Sequence, residues 1–187
     1  MKKKIAQISV QRGTQRKSRK GNIYQVALAG YTNSGKSTLL NQLIGEKLAI
    51  ISPKPQTTRN RILAVKTNPG FQMIFLDTPG IHQAKGNLNL AMVRTALATL
   101  ATVDLILFLV ESHSPSNQSN QAVLKALQNV ETQTLLVVNK IDLVSEESLA
   151  RIDERFQGLH QLKGSAHISA LHGTGIDDLI AHIVPLL

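Results

Sequence analysis

At 187 residues the chain is long enough to close one full hydrophobic core, and a single domain is the default. Its net charge of +9 is unevenly spread: residues 1–21 carry eight Lys or Arg and no acid, leaving 13 basic against 12 acidic residues beyond them, which excludes a surface-wide basic protein. No cysteine occurs, so disulfides, thiolate metal sites and cysteine nucleophiles are excluded as well, and a cytoplasmic address is the simplest expectation.

The chain divides by composition into a basic arm, residues 1–21, and a body, residues 22–187. In the arm, Lys2 to Lys4 imitate the charged start of a signal peptide, but the stretch Ile5 to Arg12 is too short and polar to be its apolar core. Lys2, Lys3, Lys4, Arg12, Arg16, Lys17, Arg19 and Lys20 would attract phosphate backbones with salt-sensitive, sequence-independent affinity. A solvated, disordered arm is the other reading, and an anionic membrane surface a third, disfavoured because no amphipathic helix of useful length is present.

Tyr24 to Ala29 reads as a buried strand ending on Gly30, and Lys36 to Leu43 as the helix that follows, closed by Gly45. Glu46 to Arg61, with Pro53 and Pro55, lacks periodicity and reads as a long loop of the kind that often carries function. Ile62 to Lys66 and Phe71 to Leu76 flank the turn residues Thr67 to Gly70, which predicts an antiparallel hairpin whose second strand ends on Asp77. Helical spacing then marks Leu88 to Leu100, a strand runs from Leu105 to Val110, and Ala122 to Leu127 lies in a second amphipathic helix. The run Val103 to Val110 contains Asp104 and falls far short of the ~20 residues that span a bilayer, so no transmembrane segment is expected. Leu135 to Val138 is a strand running into Asn139. Ser145 begins a helix as N-cap, Ala166 to Ile168 is a short strand, and Gly175 to Val184 a last helix. The alternation predicts an α/β fold: a doubly wound, mostly parallel sheet of about six strands with helices on both faces and ligands beyond the carboxyl ends of the strands.

Four motifs begin at those ends. Gly30-Tyr31-Thr32-Asn33-Ser34-Gly35-Lys36-Ser37 fits a phosphate loop, in which converging backbone amides and a helix N-terminus hold a triphosphate. There Lys36 reaches the β and γ phosphates, the Ser37 hydroxyl suits Mg²⁺, and Asn33, Ser34, Gly35 and Thr38 complete the nucleotide contacts. An ordinary glycine turn ahead of a helix is the bland alternative. Asp77-Thr78-Pro79-Gly80 puts a carboxylate at a strand end, able to hold the metal directly or through water, and Gly80 offers an amide to the γ phosphate. Asn139-Lys140-Ile141-Asp142 should choose the base, because a carboxylate accepts hydrogen bonds from N1 and N2 of guanine and adenine has no such donor pair. Asn139 can tie this loop to the phosphate loop, the Lys140 stem can cover the base, and Ser169-Ala170-Leu171 can supply an amide near Ala170 to guanine O6.

From about Tyr24 to Leu187 the sequence resembles the GTPase domain of the Era family, within the translation-factor-like P-loop GTPases. Ser52 to Arg59 is similar to that family's first switch loop and Asp77 to His82 to its second. The resemblance implies that one of Thr57 and Thr58, taken here as Thr58, closes on Mg²⁺ and the γ phosphate, unless both threonines only shape the loop. It implies catalysis by Lys36, Asn33, Thr58 and Gly80, with Ser37, Thr58 and Asp77 around the metal. Ile81 stands where many small GTPases have a water-orienting glutamine, so slow intrinsic hydrolysis is expected. In such relatives an asparagine of the phosphate loop helps bind K⁺, and Asn33 matches it; shaping the loop is the other reading.

Era proteins carry an RNA-binding KH domain after the GTPase domain, and since this sequence stops at Leu187, RNA reading by that route is not expected. Gln11 to Lys20 and Gly30-Tyr31-Thr32-Asn33 look more like the linker and phosphate loop of HflX-type ribosome-associated GTPases. The leading expectation is a GTP/GDP switch acting on ribosomal RNA or assembling ribosomal subunits. A GTP-gated binding module with negligible turnover, and an isolated, reconstructed or designed domain with no specific RNA target, are the alternatives.

Overall fold

A computed structural model describes residues 22–31, 33–45, 61–77, 97–114, 118–156, 158 and 161–187. Six strands form one sheet: β1 (Asn22–Gly30), β2 (Arg61–Asn68), β3 (Phe71–Asp77), β4 (Leu105–Glu111), β5 (Thr134–Asn139) and β6 (Leu162–Ile168). They lie in the order β2-β3-β1-β4-β5-β6. Every neighbouring pair is parallel except the β2–β3 hairpin. Pro69 and Gly70 alone make the hairpin turn, with Gly70 at φ 91°, where a glycine meets no Cβ penalty. The expected α/β sheet with one antiparallel member is therefore present. Several strands run longer than the sequence signals suggest, because pairing continues past the apolar stretch; β6 starts at Leu162, in register with Thr134, ahead of the polar residues Lys163 and Ser165.

Four helices are described: α1 (Lys36–Ile44), α2 (Gln118–Leu127), α3 (Glu146–Phe156) and α4 (Ile176–Ile183). Residues 97–100 are helical too, at the end of the predicted Leu88 to Leu100 segment, most of which lies outside the described residues. Gly45, left-handed at φ 76°, ends α1 by donating its amide to the Asn41 carbonyl at 3.1 Å. No helix among the described residues is long and apolar enough to cross a membrane.

Both faces of the central strands are apolar, as a parallel sheet covered by helices requires. Val26 and Leu28 of β1 pack with Leu39 and Leu43 of α1 and Leu179 and Ile183 of α4, while Ala27 and Ala29 face Val123 and Leu127 of α2 and Ile152 and Phe156 of α3. Small residues on the second face of β1 leave room for Phe108, which is in register with Ala29 and meets the Phe156 ring edge-on at 5.8 Å. Register also aligns the strand ends. Leu28 pairs with Asp77, Gly30 with Leu109, Glu111 with Asn139 and Asn139 with Ile168, so every parallel strand delivers its carboxyl end to one edge.

Because Phe108 is fully buried against α3, truncation to alanine should leave a cavity the rigid sheet cannot close. Phe108→Ala is expected to lower unfolding free energy by about 3–5 kcal/mol in urea titration; a loss below about 1 kcal/mol would contradict the packing described.

Candidate nucleotide-binding site

The phosphate loop leaves β1 at Gly30 and enters α1 through Gly35, which occupies the N-cap position at φ 94°. Among the described residues no side chain caps this end, so its amides and partial positive charge face the loop. A Cβ on Gly35 would lie 2.1 Å from Asn139 Nδ2, and one on Gly30 2.6 Å from the Leu109 carbonyl oxygen. Both positions therefore demand glycine for space as well as for backbone angle. Asn33 is also left-handed, at φ 69°, a conformation asparagine tolerates better than most residues. Lys36 curls back over the loop and donates to the carbonyls of Gly30 at 2.9 Å and Tyr31 at 2.6 Å. Ser37 and Thr38 stand exposed on the first turn of α1. Ser34 is buried; its carbonyl accepts a hydrogen bond from Asn139, while its hydroxyl has no hydrogen-bond partner among the described residues.

Asn139 joins three of the predicted motifs. Its Nδ2 donates to the Ser34 carbonyl at 2.8 Å, and its Oδ1 accepts from the amides of Lys140 at 2.8 Å and Ala170 at 2.9 Å. Asn139 is 98% buried, and its bonds to Ser34 and Ala170 are shielded from water. The Ala170 amide is thus bound to Asn139, whereas Leu171 projects outward at 73% exposure.

Lys140 adopts φ 66° and leads into a 3-10 turn, Ile141–Leu143, that carries Asp142. Its ammonium pairs with Glu111 at the end of β4, and its carbonyl accepts the Ser112 hydroxyl at 2.6 Å. Neither Glu111 nor Ser112 belongs to a motif; the one signal for Glu111 in the sequence is that the apolar β4 run ends on an acid at the same sheet edge. Asp142 is partly exposed. A hydrogen bond from Ser169 holds its carboxyl below the usual carboxylate range, against the pull of desolvation, with His172 and Lys140 adding attraction. It is therefore ionised at neutral pH, as an acceptor for two N–H donors must be.

Asp77 ends β3 beside Leu28, one strand away from the phosphate loop. Thr32, Thr57, Thr58, Thr78, Gly80 and Ile81 lie outside the described residues. Among those described, no group of three or more His, Cys, Asp or Glu side chains stands ready to hold a metal.

Removing the Asn139 amide would leave the amides of Lys140 and Ala170 and the Ser34 carbonyl without this partner, each buried group costing about 1–3 kcal/mol if unsatisfied. Asn139→Ala should therefore lower the stability of the nucleotide-free protein by at least about 2 kcal/mol in urea unfolding. Asn139→Asp should also destabilise, because an oxygen would then face the Ser34 carbonyl; wild-type stability in both variants would refute the linkage.

The profile of the 50S ribosome-binding GTPase family matches residues 25–140. The chain is 47% identical to GTPase Era of Geotalea uraniireducens (strain Rf4) over 156 residues, 83% of this chain and 52% of that protein. Among solved structures it superposes on Era in complex with MgGDPNP and nucleotides 1506–1542 of 16S ribosomal RNA, with TM-score 0.71 and 38% identity, covering 89% of this chain and 57% of that one. A variant of Aquifex aeolicus Era bound to GDP·AlF4⁻ matches with TM-score 0.68 and 36% identity, over 88% of this chain and 57% of that one. The chain spans about half the length of the curated relatives it matches. With a profile that covers more than half of the sequence and includes the phosphate loop and Asn139, the chain belongs to the family of 50S ribosome-binding GTPases.

Proposed function

We propose that this chain binds GTP, hydrolyses it to GDP and phosphate, and couples the two states to ribosomal RNA or an assembling ribosomal subunit. The observation that carries the proposal is the Asn139 linkage, since one side chain joining the phosphate loop to the loops after β5 and β6 suits a ligand that reaches from a triphosphate to a base. Likeness to an Era holding MgGDPNP and a 16S ribosomal RNA segment supports the choice of nucleotide and partner.

In this reading Asn33, Ser34, Gly35, Lys36, Ser37 and Thr38 bind the phosphates, with the Lys36 ammonium serving the β and γ groups. Asn139, Lys140, Asp142, Ser169, Ala170 and Leu171 form the base end, where the ionised Asp142 accepts from guanine N1 and N2. Mg²⁺ fits the donor chemistry available, a hydroxyl from the exposed Ser37 and a carboxylate from Asp77 at the neighbouring strand end, which are hard oxygen ligands. Thr58 is proposed as a further ligand. When bound, the ion neutralises charge on the β and γ phosphate oxygens. Asn33 is proposed to help hold K⁺, and Gly80 to present its amide to the γ phosphate. Ile81 offers no hydrogen bond to an attacking water, so turnover without a partner should be slow. The basic residues 1–21 are proposed to add electrostatic affinity for RNA, with the cytoplasm as the place of action.

Phosphate release measured with GTP and with ATP, each in KCl and in NaCl, is expected to show turnover of GTP only and faster turnover in KCl. Asp142→Asn should move preference from guanosine to xanthosine nucleotides; guanine preference surviving that change would sink the base-reading assignment. RNA affinity followed by fluorescence anisotropy should fall about tenfold or more between 50 and 200 mM salt. Deleting residues 1–21 should remove most of that dependence, and an unchanged salt slope would detach RNA binding from the arm.

A further inference from the structure

The loop after β6 is a closed unit. Ser169 donates its amide to the Thr174 carbonyl at 3.0 Å, and the loop returns to α4 through Gly173 at φ 75° and Gly175 at φ 74°. A Cβ on Gly175 would sit 2.3 Å from the His167 carbonyl oxygen, so the return path passes close against β6 and takes only glycine there. Ser169 Oγ accepts the His172 amide at 3.4 Å, and the same hydroxyl serves Asp142. One buried serine thereby ties His172 and the base-reading carboxylate to a common support. His172 Nε2 stands 4.0 Å from Asp142 Oδ2, with the imidazole 59% and the carboxylate 28% exposed.

We propose that His172 gates the base-reading carboxylate: its imidazolium pairs with Asp142 and competes with guanine for that side chain, so nucleotide binding is coupled to release of a proton from His172. The proposal rests on the guanine-reading role given to Asp142 above. A carboxylate that must accept from both N1 and N2 of guanine needs both oxygens open to the base, and a cation drawn up to Oδ2 opposes that. Neutral imidazole exerts no such pull.

The charged groups acting on Asp142 are His172 and Lys140, and the Lys140 ammonium is itself paired with Glu111. From α1, the side chain that approaches the loop at Gly173 is the uncharged Gln42; α4, which follows the loop, opens with Asp177 and Asp178. Histidine is the side chain that ordinarily changes charge between pH 5 and 8. Asp142, held below the usual carboxylate range by Ser169, stays ionised through that window. Because the pair forms only when His172 is charged, nucleotide affinity is full where the imidazole is neutral and falls where it carries a proton.

The test is calorimetric titration of the full chain with GDP and excess Mg²⁺ at pH 7.5 and pH 5.5, for wild type, His172→Gln and His172→Lys. GDP protonation affects all three proteins alike, so the difference between them isolates the gate. Wild type is expected to lose about threefold more affinity than His172→Gln on going to pH 5.5, the scale of an exposed ion pair. His172→Lys, with its charge fixed, should bind about threefold more weakly than His172→Gln already at pH 7.5. Identical pH profiles for wild type and His172→Gln would overturn the gate while leaving guanine binding intact. Absence of GDP heat from all three proteins would overturn the underlying guanine reading and the gate with it.

Discussion

The buried carboxamide of Asn139 is the interaction on which the site depends. It uses three of its four hydrogen-bonding directions on backbone groups from three separate loops, at 2.8 to 2.9 Å and almost out of water. Each loop lacks the regular pairing of the sheet, so a bond shielded from solvent counts for more there than on the surface. Its closeness also constrains the neighbours: with the amide nitrogen 2.1 Å from where a Gly35 Cβ would be, only glycine fits the entrance to α1.

That carboxamide can bridge the loops only because the sheet brings them to one edge. β1 lies between β3 and β4, and the chain moves to one side of β1 for the hairpin and to the other for β4, β5 and β6. In open α/β sheets ligands bind where that direction reverses, and the phosphate loop leaves β1 at that point. Two apolar faces make this arrangement rigid: α1 and α4 cover one side, α2 and α3 the other. The electrostatics divide along the same line. Around Gly35 the field comes from backbone amides and one ammonium, whereas around Asp142 it comes from side chains on three loops, Lys140 with Glu111 and Ser169 with His172. The phosphate end suits a dense negative charge and the other end a neutral, donor-bearing ring.

Much of this was legible in the sequence. The order of strands and helices, the Pro69-Gly70 hairpin, the Gly45 helix end and the doubly wound sheet follow from apolar period and turn chemistry, both of which are local. The joining of Asn139 to the phosphate loop was also expected, since a recognisable spacing placed both at strand ends. Strand lengths were less legible, because pairing with a neighbour extends β6 well before its apolar core begins. Ser112 and His172 carried no signal of their own, and Glu111 only the weak one of its place at a strand end: an acid after an apolar run, a serine in a turn and a lone histidine are common in any chain.

What the sequence determined by itself is the class of fold and the chemical type of each strand-end loop, because hydrophobic period, glycine placement and short motifs act within a few residues. What only the tertiary structure decided is which polar atoms meet: the Ala170 amide bound to Asn139, the Lys140 ammonium paired with Glu111, and His172 brought to the flank of Asp142. Those meetings join residues about thirty positions apart, and they depend on strand register and loop closure, which arise from packing of the whole sheet and are encoded in no single segment.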